Sequence, residues 1–109
     1  SVLNGGTRAV LTVPLKLVTI IAEAFLEEKL VREIKKLGAS GYTLSPARGE
    51  GSRGVRASEW EGGNVRLEVV ASPQVAERIL ERLAEVYFPS YAVIAFTQTV
   101  EVVRGEKYA

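Results

Sequence analysis

The feature that most constrains the fold is a stretch near the N-terminus, residues 15–22, which reads LKLVTIIA. Its β-branched content points to a strand, and both alternating faces are largely apolar. Leu15, Leu17, Thr19 and Ile21 fall on one face, Val18, Ile20 and Ala22 on the other. A strand that is apolar on both sides expects cover on both sides. Residues 91–103 read as a last, long strand that repeats the condition around residues 93–96. The rest of the chain must supply the cover.

Residues 25–37 switch to helical period. Leu26, Leu30, Ile34 and Leu37 make one stripe while Glu28, Lys29, Arg32 and Lys36 face water. Gly38 follows where a left-handed helix cap would fall. Residues 41–47 return to strand, and Pro46 within them suits a strand end or a sheet edge. Residues 64–71 alternate cleanly, Val65, Leu67 and Val69 against Arg66 and Glu68. Ser72-Pro73 is a helix start, a capping side chain followed by proline at the first helical position. Val75, Ala76, Ile79, Leu80, Leu83 and Val86 form the stripe of this second helix, and Pro89 marks its end. The order strand–helix–strand, loop, strand–helix–strand predicts an α+β, ferredoxin-like βαββαβ fold, an antiparallel sheet with two helices on one face.

A chain of 109 residues is one domain. We place it at residues 15–109, with residues 1–14 as an N-terminal extension. Residues 9–13 there are either a short extra edge strand, ended by Pro14, or disordered. The opposite sheet face would be open in a monomer, which predicts a homo-oligomer.

Between the two halves runs a loop at residues 48–63 with too few spaced apolar residues for a buried element. It opens with RGEGSRGVR, residues 48–56. Glycines let backbone approach a ligand, and serine and arginine supply donors for phosphate oxygens. The run is not a P-loop, because no lysine follows the last glycine and no helix begins there. Composition alone leaves open a solvated loop whose arginines are balanced by Glu50, Glu59 and Glu61. Trp60, the one tryptophan, is either folded back on the body or an exposed partner anchor.

With loop and scaffold together, the sequence resembles the PII signalling superfamily, and within it the PII-like SbtB branch associated with bicarbonate uptake. Gly38-Ala39-Ser40-Gly41-Tyr42-Thr43, the loop motif from Gly49 to Arg56 and the stretch Asn64-Val65-Arg66-Leu67-Glu68-Val69 carry the likeness. The resemblance implies a homotrimer that binds adenine nucleotides in clefts between subunits. It also implies that the loop at 48–63, the T-loop, contacts a partner according to the ligand. Carried over, Gly51, Ser52, Arg53 and Arg56 would hold phosphate, while Arg48 is left out of that set. Thr43 and Glu68 would line the nucleotide cleft, and Tyr91, Ala92 and Val93 would adjoin the base. Glu59, Trp60 and Glu61 would meet the partner, plausible as a membrane transporter for bicarbonate or another small solute. Glu101 and Val103 stand where conventional relatives place two arginines for terminal phosphates, so AMP, cyclic AMP or ADP is expected over ATP.

Composition narrows the chemistry. The chain has no cysteine and no histidine, which removes thiol nucleophiles, disulfides, the usual zinc sites and histidine acid–base catalysis. A formal net charge of +1 gives no global pull toward nucleic acid, so any anion site is local. No metal and no cofactor is expected beyond the nucleotide as a regulatory ligand. The expectation is a non-enzymatic, cytoplasmic sensor that reaches the membrane only through its partner. Two alternatives stay open: a weak nucleotide hydrolase on the same site, and a ferredoxin-like trimer with no nucleotide ligand.

Overall fold

The computed structural model describes residues 2–4, 8–49 and 63–103. A four-stranded antiparallel sheet is built from β3 (Thr12–Glu23), β4 (Thr43–Ala47), β5 (Asn64–Ala71) and β6 (Ile94–Val103), in the order β4-β5-β3-β6. Two short strands, β1 (Val2–Asn4) and β2 (Arg8–Val10), precede it and pair antiparallel with each other in a separate sheet. The βαββαβ order and the antiparallel sheet are as expected from the sequence. β3, the doubly apolar strand, lies inside the sheet, between β5 and β6.

Helices α1 (Glu27–Lys36) and α2 (Pro73–Arg82) bury their stripes against one sheet face. Val18, Ile20 and Ala22 of β3 and Leu67, Val69 and Ala71 of β5 meet Leu26, Leu30, Ile34, Ala76, Ile79 and Leu83 in a single core. Each fully buried leucine or isoleucine there contributes about 1.5–3 kcal/mol through removal of apolar surface from water. A 3-10 turn, Ala24–Leu26, leads from β3 into α1. α1 carries Glu27 and Glu28 in its first turn and Lys35 and Lys36 in its last, which complements the helix dipole. It ends at Gly38, whose φ of +112° lets the Ala39 N–H reach Ile34 O at 3.0 Å and its own N–H reach Lys35 O at 3.2 Å. α2 begins where Ser72 Oγ accepts from Val75 N at 3.3 Å, with Pro73 as its first residue.

Three differences from the sequence expectation have local causes. Pro14 does not end an edge strand but lies within β3. It pairs with Glu101 of β6, while β5 reaches β3 only from Lys16 onward. The strand has one neighbour at that point, so a missing N–H is tolerated. Pro46 sits in β4, an edge of the sheet. The second helix does not stop as a regular α-helix: Leu83–Tyr87 widen into a π turn, with Phe88 N donating to Leu83 O at 2.8 Å. That turn brings Tyr87 under the helices, fully buried, where its hydroxyl donates to Glu33 Oε1 at 3.2 Å. Residues 91–93 then stand outside β6, which starts at Ile94.

Candidate functional site

The sheet face turned away from the helices carries the candidate site. Strand side chains alternate, so Thr19 and Ile21 leave this face of β3 while Val18 and Ile20 enter the core. Register then aligns rows across the strands. One row is Thr43, Glu68, Thr19 and Phe96; the next is Ser45, Arg66, Ile21 and Ile94. Over these rows lies an open cavity of about 380 Å³, within the usual range for small-molecule sites. Ile21, Ile94 and Phe96 supply apolar lining, and Thr19, Arg66, Glu68 and Gln98 supply polar lining. Ala47, Arg48, Gly49 and the buried Asn64 complete it where β4 ends and β5 begins.

Charge and exposure define what this cavity can do. Arg48 and Arg66 are exposed cations and Glu68 is a half-buried carboxylate. Among the described residues, ion pairs join Arg82 to Glu33 and to Glu85, and none involves Arg48, Arg66 or Glu68. Ile94 and Phe96 stay 41% and 44% exposed, so this face holds apolar surface that a folded monomer does not cover. Guanidinium forks beside an apolar lining suit a ligand with an anionic end and a flat apolar body.

The expected site residues fall in three places. Thr43 and Glu68 are direct partners between β4 and β5, and Glu68 lines the cavity. Tyr91, Ala92 and Val93 do not line it. Tyr91 and Val93 pack against the core, and Ile94, the next residue, reaches the cavity. The Tyr91 ring meets Phe25 edge-on at 6.0 Å and lies 6.1 Å from Tyr87, with Lys29 Nζ 5.7 Å from its centroid. Gly51, Ser52, Arg53, Arg56, Glu59, Trp60 and Glu61 lie outside the described residues. Arg48, left out of the phosphate set on sequence grounds, stands on the cavity lining. Arg66, Gln98, Ile21 and Phe96 were not singled out as site residues. Alternation gives the parity of Ile21 and Arg66, but only strand order shows that β5 and β6 flank β3 and bring all four together.

A family model described as Nitrogen regulatory protein P-II matches residues 15–107. The chain belongs to the P-II family. Among solved P-II-like structures, one from Thermus thermophilus, described as a PII-like signaling protein, is 61% identical. That match covers 91% of this chain and 99% of the other, with a TM-score of 0.80. CPII from Thiomonas intermedia, solved with ADP and bicarbonate, shares the P-II fold at 22% identity. It covers 93% of this chain and 100% of its own, with a TM-score of 0.82. GlnK of B. subtilis, solved with ATP, matches at 19% identity over 80% of this chain and 82% of its own, TM-score 0.60. The P-II sheet and helices are therefore shared across relatives of low sequence similarity.

Proposed function

We propose that the chain is a PII-like sensor of adenine nucleotides, acting as a homotrimer with ligands in clefts between subunits. The observation that carries this reading is the open-face cavity at the mouth of the 48–63 loop, lined by Arg48, Arg66, Glu68 and Phe96. That loop carries Gly51, Ser52, Arg53 and Arg56, which we assign to phosphate. Glu68, with Thr43 opposite, is assigned to ribose or base, and residues 91–93, which stand outside this cavity, are assigned to the base within the cleft that a neighbouring subunit completes. CPII has been solved with ADP and bicarbonate, and with ADP, AMP and acetate. These ligands support an adenine nucleotide here too. Ile94 and Phe96 on the uncovered face give neighbouring copies an apolar surface to bury.

Signalling follows from differential affinity: a nucleotide shifts the loop only toward the conformation it contacts better. Glu59, Trp60 and Glu61 would then meet the partner, a membrane transporter for bicarbonate or another small solute, as in the SbtB branch. AMP, cyclic AMP or ADP is favoured over ATP, because the last strand offers Glu101 and Val103 in place of terminal-phosphate arginines. Among the described residues that line the cavity Glu68 has no acid–base mate, which favours binding over turnover. A thermal-shift panel of AMP, cyclic AMP, ADP and ATP tests it, since stabilisation follows affinity and concentration. Stabilisation by the first three is expected. No shift with any nucleotide overturns the sensor reading, and ATP bound far more tightly than AMP overturns the ligand order. Light scattering that finds a monomer at every concentration overturns the trimer.

A further inference from the structure

Residues 91–93, assigned to the base, stand between two regular elements and belong to neither α2 nor β6. Other contacts must fix their place, and these converge on α1. Tyr91 N donates to Tyr87 O at 2.8 Å and Ser90 N donates to the same oxygen at 3.0 Å, so the segment hangs from the last residue of the π turn. α1 holds Tyr87 in turn: Glu33 Oε1 accepts from its hydroxyl at 3.2 Å. One turn earlier on that helix, Lys29 Nζ stands 5.6 Å from the Tyr87 ring centroid and 5.7 Å from that of Tyr91. The two rings are 6.1 Å apart.

A cation within about 6 Å of an aromatic ring is attracted by the ring quadrupole, so one ammonium group draws both rings to α1. Lys29 is exposed and, among the described residues, has no ion-pair partner, which leaves its charge to the rings. The rings differ in freedom. Tyr87 is fully buried and tied at its hydroxyl, whereas Tyr91 is only half-buried and meets Phe25 edge-on at 6.0 Å. Lys29 thus spans a fixed ring and a freer one that carries the base segment. We propose that Lys29 is a positioning residue: it holds Tyr91 beside the Tyr87 ring that Glu33 fixes, and so sets Ala92 and Val93 where a nucleotide base meets them. This rests on the nucleotide reading above.

The test compares wild type with Lys29→Met, which keeps the length of the side chain and removes its charge, and with Lys29→Arg, which restores the charge. Amide hydrogen exchange of the unliganded protein without denaturant reads the segment directly. Lys29→Met should speed exchange at Ser90 and Tyr91 about fivefold, the scale of one exposed cation–π contact, and Lys29→Arg should return it to the wild-type rate. A contact that served global stability alone would leave these two amides unchanged, since a short surface segment exchanges by local opening. Calorimetric titration should show an equal loss of about fivefold for AMP and ADP, which share the base, again recovered by Lys29→Arg. Unchanged exchange at both amides overturns the proposal, and so does faster exchange with undiminished affinity; either leaves the nucleotide reading standing. If wild type binds neither nucleotide, the nucleotide reading fails, and exchange at Ser90 and Tyr91 alone decides whether Lys29 holds the segment.

Discussion

Replacing Tyr87 with phenylalanine isolates one polar contact between α1 and the turn that follows α2. The Tyr87 ring is fully buried, and Tyr87→Phe retains it, so no cavity forms. What is lost is the hydroxyl that donates to Glu33 Oε1 at 3.2 Å. Hydrogen bonds to charged acceptors contribute about 1.5–3 kcal/mol. This one is long, and the Glu33 side chain keeps 16% exposure and Arg82 Nε at 3.2 Å, so the low end applies. Arg82 Nε is poorly aligned for a hydrogen bond, which makes that contact chiefly electrostatic and leaves the phenol as the directional partner. A loss of about 1.5 kcal/mol corresponds to a melting temperature lower by about 6 °C for a domain of this size.

The same variant has a signature in alkali. Burial first, and then the Glu33 charge and hydrogen bond, push the Tyr87 phenol from 10.0 up to about 12. The folded state therefore keeps a proton that the unfolded state releases above pH 10, so this contribution is intact below pH 10 and disappears as pH rises toward 12. Tyrosinate absorbance in the near ultraviolet should show a late-titrating group that Tyr87→Phe lacks. Urea unfolding at about pH 8 and across the interval from 10.0 to about 12 measures both effects. If Tyr87→Phe matched wild type within about 0.3 kcal/mol at the lower pH and kept the alkaline loss, the contact would not hold the two helices together.

Other expectations concern the helix ends. Gly38→Ala should cost about 2 kcal/mol, since φ is +112° and a new Cβ would sit 3.2 Å from Val75 Cγ2. The urea midpoint should fall with its slope unchanged. Ser72→Ala removes the α2 cap at Val75 N and should cost about 1 kcal/mol, with Ser72→Asp restoring most of it. An unchanged midpoint would mean that the 3.3 Å contact does not act as a cap.

Much of the scaffold was legible because local chemistry and tertiary context agree. Residues 64–71 form β5 over the bounds read from alternation, and Ser72-Pro73 and Gly38 punctuate the helices as their side chains require. Sequence fell short where a neighbour decided the outcome. Pro14 looks like a terminator until one sees that β3 has a single partner there. Tyr91 reads as strand by propensity, yet the π turn draws its N–H to Tyr87 O at 2.8 Å. The cavity was legible only in halves. Thr43 and Glu68 entered through the family motif, whereas Arg66 needs the pairing with Ile21 to become part of a site. No local pattern encodes a pairing between residues so far apart.

The two ends of the long loop meet at one point of the sheet. Ala47 pairs with Asn64, Asn64 pairs with Glu23, and Ala24 N donates to Gly63 O at 2.9 Å. Exit and entry are thus fixed by backbone contacts that need no residue between 48 and 62. For a loop whose ends are held this way, doubling the length adds only about 0.6 kcal/mol of closure entropy. The sheet beneath therefore keeps its register whatever length the span takes beyond its ligand-facing start, and the far part of the span can lengthen or change without disturbing the strands. A lineage could change what it signals to without having to solve its fold again.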